Sequence, residues 1–150
     1  MQRFLVVIGL QPEKVQACGK AGRKILDWVQ AHHDEYAVTI SIIREYTKHG
    51  NLQHQGGDII TNNDIHLDYY TDQIIKVPGF DVDCTQFRRD VHYDIVGIST
   101  GASILCCALS MFSAGLHITV RTDLCCDRMG KKTHEAALTI MDAYMPSAVK

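Results

Sequence analysis

The chain has 150 residues, enough for one domain of ordinary size and too few for two typical ones. Its 15 basic and 17 acidic side chains leave a net charge of −2, which argues against a strongly basic nucleic-acid or membrane-surface protein, so neither partner is expected. Hydrophobic residues are 46% and charged residues 21%, the balance of a globular core, and no apolar run approaches the length of a membrane span.

The opening Phe4-Leu5-Val6-Val7-Ile8 is continuous, apolar and rich in β-branched residues, as a buried parallel strand is. No small-residue cleavage site follows it, so it reads as a first strand and not a signal peptide, and a cytoplasmic location is expected. Residues 9–12 break the run. Val15, Cys18, Ala21 or Gly22, Ile25 and Val29 then recur at helical spacing, with Lys14, Lys20, Lys24 and Asp27 on the other face. His32 and His33 fall at the end of this helix, where a cation suits the helix dipole. Residues 36–43 form a second apolar strand. Residues 44–72 dissolve into Gly, Asn, His, Asp and Gln, a long irregular stretch of the kind that forms functional loops or interaction surfaces. Residues 73–77 are a short strand ended by Pro78-Gly79, and residues 85–91 allow one or two helical turns.

The second half is plainer. Residues 93–98 form another buried strand, Ser99-Thr100-Gly101 a turn, and residues 102–114 an apolar helix stopped by Gly115. Residues 116–120 are a strand, followed by a polar loop with Asp123, Cys125, Cys126 and Asp127. Residues 133–145 are the last helix, with Thr133 as its cap and Pro146 beyond its end. The alternation implies one domain over 1–150, an α/β sandwich with a mainly parallel sheet. Ligands bind such folds at the carboxyl ends of the strands. Gly9-Leu10-Gln11, Arg44-Glu45-Tyr46, Lys76 and residues 99–103 converge there. A plain nucleotide-binding domain is disfavoured, because Gly9-Leu10-Gln11-Pro12 is not a Gly-rich phosphate loop.

The six cysteines include no Cys-x-x-Cys, so the usual zinc spacing is missing. A chain with this core needs no disulfides, and reduced, partly buried thiols are expected.

The same segments resemble the isochorismatase-like, or cysteine hydrolase, superfamily. The stretch 4–11 is similar to the family's first strand, which usually ends Val-Ile-Asp-Met-Gln. Gln11 matches, and Gly9 stands in place of the catalytic Asp. Ile75-Lys76 followed by Phe80 resembles the family's Lys segment. Asp94-Ile95-Val96-Gly97-Ile98-Ser99-Thr100-Gly101-Ala102-Ser103 resembles Gly-x-x-Thr-Asp-x-Cys, with Gly101 replacing the Asp and Ser103 the nucleophilic Cys. Ala114-Gly115-Leu116 and Asp123 match a later strand and its Asp, and His134 falls where a His often opens the last helix.

The resemblance implies a three-layer fold and a pocket whose family-equivalent catalytic positions are Gly9, Lys76 and Ser103. A Ser hydroxyl is a weak nucleophile without an adjacent base, and Gly9 supplies none. These departures imply a catalytically degenerate domain that acts by ligand binding or as a subunit of an assembly, alone in homo-oligomers or within a larger particle. The alternative is an active hydrolase of a small-molecule amide, imide or vinyl ether that uses Lys76 and Ser103. The expected ligand is a small anion held by Gln11, Lys76, Ser99, Thr100 and Ser103, near a helix N-terminus. Arg44-Glu45-Tyr46-Thr47 resembles the family's Arg-Asp-Trp-His metal motif, but Thr47 replaces the first His. His49 and His54 then read as solvated, and neither metal nor cofactor is expected. Cys106 and Cys107 lie a turn into the helix and are expected to be core thiols that miss the pocket.

Overall fold

A computed structural model describes residues 1–45 and 66–150. Tyr46, Thr47, His49 and His54 lie outside the described residues. In chain order the elements are β1 (Gln2–Ile8), α1 (Pro12–Ala17), α2 (Gly19–His32), β2 (Val38–Arg44), β3 (Gln73–Val77), β4 (Val91–Ile98), α3 (Leu105–Ser113), β5 (His117–Cys126) and α4 (Lys131–Tyr144). The five strands form one parallel sheet in the order β3-β2-β1-β4-β5.

Successive side chains of a strand point to opposite faces, so β1 feeds two cores. Phe4, Val6 and Ile8 meet Cys107, Ala108 and Met111 of α3 and Ala137 and Met141 of α4. Leu5 and Val7 meet Ile25, Leu26 and Val29 of α2. Helices therefore cover both faces, and the three-layer α/β/α sandwich that the resemblance implies is the fold observed. The strand order reverses at β1, which opens a crevice at the carboxyl ends of β1 and β4.

Four elements differ from the sequence reading. The helix expected over 15–29 is two helices. α1 ends at Ala17, the Cys18 N–H donates to the Lys14 carbonyl at 3.1 Å, and Gly19 restarts the chain at φ +56°. The break changes the phase, so Lys14, expected on the outer face, is 3% exposed. Cys125 and Cys126 are not in a loop. β5 continues through them because a register shift between Ile95 and Gly97 lets pairing resume at Gly97–Cys125 and Ile98–Cys126. α4 begins at Lys131 after Gly130, so Thr133 lies within its first turn and does not cap it. Between β3 and β4, the helical turns expected over 85–91 shrink to a single turn at Cys84–Gln86.

Beyond α4, Val149 bridges to Val120 in parallel. The Lys150 N–H donates to the Val120 carbonyl at 3.0 Å, and the Thr122 N–H donates to the Lys150 carbonyl at 2.7 Å. This segment runs along the outer side of β5. Among the described residues no helix is long and apolar enough to cross a membrane.

Candidate ligand site at the sheet switch point

Gly9 leaves the end of β1 at φ +62°, a left-handed conformation that glycine adopts freely. Its N–H donates to the Ile42 carbonyl at 2.8 Å. A Cβ at this position would lie 2.1 Å from the Ile98 carbonyl oxygen and 3.2 Å from the Lys14 Nζ. The backbone here has no room for the family's acidic side chain, and an ammonium borders the space.

That ammonium is placed by Gln11, which is 2% exposed. The Gln11 Oε1 accepts from the Lys14 Nζ at 3.3 Å and from the Arg44 backbone N–H at 3.1 Å. Its Nε2 donates to the Arg44 carbonyl at 3.3 Å. One amide thus ties the end of β1 to the end of β2 and holds Lys14 beside both. Burial first, and the neighbouring Arg44 second, lower the Lys14 pKa from 10.5 to about 7. Glu13 opposes this shift and Arg128 adds to it.

Arg44 is 4% exposed, and its guanidinium lies 4.8 Å from the centre of the Phe80 ring. Its Nη2 donates to the Ser103 Oγ at 2.7 Å. The hydroxyl therefore faces a group that only donates and cannot take its proton. This is the reverse of the environment a serine nucleophile needs.

Between β4 and α3 the chain makes one widened helical turn, Thr100–Ile104, in which the Ile104 N–H reaches the Ser99 carbonyl five residues back at 3.1 Å. The Gly101 N–H donates to the Asp127 Oδ2 at 2.6 Å, and the Met129 N–H donates to the Asp127 Oδ1 at 2.8 Å. A Cβ on Gly101 would lie 2.9 Å from that Oδ2 and 2.7 Å from the Thr133 Cγ2. The carboxylate missing from position 101 is thus supplied from the end of β5. It also takes a helix-terminal N–H that the sequence reading left open to an anion. The Thr100 hydroxyl shares a 2.7 Å hydrogen bond with the His134 Nδ1, and the Ser99 Oγ accepts from the Arg128 N–H at 3.4 Å. A cavity of about 320 Å³ opens here, lined by Phe80, Ser99, Gly101, Cys106, Asp127 and Thr133 among others.

Of the candidate residues, Gly9, Gln11 and Ser103 gather around Lys14 and Arg44, while Ser99 and Thr100 line the adjoining turn. Lys76 stands apart on β3. It is about half exposed, and its ammonium lies 3.6 Å from the Glu45 carboxylate. Asp123 pairs with Arg121 at 3.6 Å on the surface, and Asp127 is the acid that turns inward. Cys107 is a core thiol, its S–H directed to the Phe80 carbonyl and its pKa pushed up to about 12 by burial. Cys106 departs from the sequence reading: it lines the cavity. Sequence reasoning missed Lys14 and Asp127. The available signal for Lys14 was its place three residues after Gln11, one helical turn away. Among the described residues no group of three His, Cys, Asp or Glu side chains is arranged to hold a metal.

No family model matches the sequence, and no curated protein matches it either. Solved structures do match over nearly the whole chain. A pyrazinamidase/nicotinamidase from Streptococcus mutans superposes with a TM-score of 0.72 at 14% identity, covering 99% of each chain. An isochorismatase-like hydrolase from Alkaliphilus metalliredigens gives 0.71 at 13% identity, covering 99% of this chain and 94% of its own. MAR1 ribonuclease from Caenorhabditis elegans gives 0.63 at 16% identity, covering 95% of this chain and 73% of its own. Proteins with these different names share the architecture, so the likeness speaks for fold and not for activity. The chain is built on the α/β sandwich common to nicotinamidases and isochorismatase-like hydrolases.

Proposed function

We propose that the chain is a catalytically degenerate member of this fold that binds a small carboxylate- or phosphate-bearing molecule without turning it over. One observation carries the reading: the buried Lys14 amine borders the space at Gly9 where the resembling family places its acid, with the buried Arg44 near enough to act on its charge. Burial and the Arg44 charge destabilise the Lys14 ammonium, and an anion beside it relieves that cost. Ser103 supports the reading, since its hydroxyl accepts from Arg44, a group that cannot take its proton.

Calorimetric titration with inorganic phosphate and with acetate, at pH 7.5 in two buffers of different ionisation enthalpy, tests the proposal. Binding is expected to take up a proton, because an anion beside Lys14 restores its charge. Lys14→Met is expected to weaken binding about tenfold or more, and Lys76→Ala to leave it within about twofold. Absence of binding by both anions overturns the reading. So does hydrolysis of nicotinamide that Ser103→Ala abolishes, which assigns the chain to active hydrolases.

A further inference from the structure

A second cavity, of about 380 Å³, lies behind the candidate site and is lined by Cys18, Cys126, Arg128, Lys131 and His134 among others. Three thiols line it, those of Cys18, Cys125 and Cys126, and the Cys125 S–H is directed away to the Arg121 carbonyl at 3.2 Å. Cys18 is the single residue between α1 and α2, and Cys126 is the last residue of β5. Both pack against the same apolar cluster, and the two thiols lie near enough for each to shift the other's pKa. We propose that Cys18 and Cys126 are a peroxide-sensitive dithiol, in which Cys18 attacks the oxidant and Cys126 resolves the product as an intrachain disulfide.

The two thiols are unequal in the way this chemistry requires. The neighbouring Cys126 thiol lowers the Cys18 pKa, and Cys18 in turn raises that of Cys126. Arg128 also favours the Cys18 thiolate, while burial and Asp127 oppose it. Cys18 is half-buried on the cavity wall, so a small oxidant reaches it, whereas Cys126 is 8% exposed. The remaining cysteines lack this arrangement. Burial raises the pKa of Cys84, Cys106, Cys107 and Cys125 alike.

The steps balance with hydrogen peroxide as oxidant. The Cys18 thiolate attacks one peroxide oxygen, the O–O bond breaks, and hydroxide leaves with the proton that Cys18 gave up, as water. The Cys126 sulfur then attacks the Cys18 sulfenic acid, the S–S bond forms, and the sulfenic oxygen leaves as a second water. Two thiols lose two electrons in total, and the peroxide gains them. The bond ties the joint between α1 and α2, whose Cys18 N–H already holds the Lys14 carbonyl, to the strand end that precedes Asp127.

The reduced protein is treated with hydrogen peroxide, blocked with N-ethylmaleimide and mapped by mass spectrometry. The Cys18–Cys126 cross-link is expected to be the first pair formed, within one chain. In the reduced protein at neutral pH, iodoacetamide is expected to alkylate Cys18 about tenfold faster than Cys106, which is similarly placed between core and surface. Cys126→Ser is expected to stop the reaction at a Cys18 sulfenic acid that dimedone traps. A different pair forming first, a cross-link between chains, or equal alkylation of Cys18 and Cys106 overturns the proposal.

Discussion

Gly9 and Gly101 both stand where the resembling family carries an acid, and neither has room for one. The ways in which the two spaces are closed differ in sign. At Gly101 a carboxylate returns from elsewhere in the chain: Asp127, on the far side of the turn, lies against the missing Cβ and takes the local N–H. At Gly9 the neighbour is the Lys14 ammonium. One position keeps its charge through a relocated side chain, and the other reverses it. The carboxylate expected from the resemblance is thus matched in charge at one position, while at the other the neighbouring charge is of opposite sign.

The largest effect expected from this contrast is a pH dependence. The folded chain binds the Lys14 proton less tightly than the unfolded chain, because its pKa falls from 10.5 to about 7. Between those limits the unfolded state holds more protons, so stability rises with pH across that window, and the penalty is fully present below pH 7. The span is about 5 kcal/mol. Urea unfolding of the wild type and of Lys14→Met at pH 6, 8 and 10 checks it. The variant is expected to gain most at pH 6 and to lose its advantage as pH rises; a difference constant with pH breaks the assignment of charge reversal to Lys14.

Next in size is Gly9→Asp, the change that restores the family's acid in name. The left-handed backbone and the Ile98 carbonyl make it destabilising by about 3 kcal/mol or more, measured as a shift in the denaturation midpoint. Adding Lys14→Met is not expected to rescue it, since the main obstacle is backbone. Rescue would show that charge alone closes this position. Smaller again is Asp127→Ala, which strands the Gly101 and Met129 N–H groups and is expected to destabilise by about 2 kcal/mol. Asp127→Asn retains an acceptor and is expected to lose less. Equal losses would sink the view that the carboxylate's hydrogen bonds matter there.

Much of this was legible in the sequence, for identifiable reasons. The strands announced themselves because a parallel sheet buried on both faces demands continuous apolar runs such as Phe4-Leu5-Val6-Val7-Ile8. Gln73–Val77 matches its expected bounds because Pro78-Gly79 ends it. The site was legible only as positions. Lys14 was misplaced because helical periodicity assumes an unbroken helix, and the Cys18–Gly19 joint resets the phase. Asp127 was unreadable as a partner of Gly101 because its contact crosses 26 residues and depends on β5 running past its polar middle to Cys126. Cys106 was assigned by depth in the helix, but the widened turn at Thr100–Ile104 shifts which side of that helix meets the cavity.

The segment that follows α4 has a consequence for how the sheet meets other chains. By bridging Val120 it covers the outer flank of β5 at Val120–Thr122, where another strand would otherwise pair. Among the described residues the opposite edge strand of the sheet is β3. There the exposed Ile74 invites a partner, while the charge of Lys76, paired across to Glu45, discourages one. The lysine that resembles a catalytic residue thus also sets a charge on that edge strand.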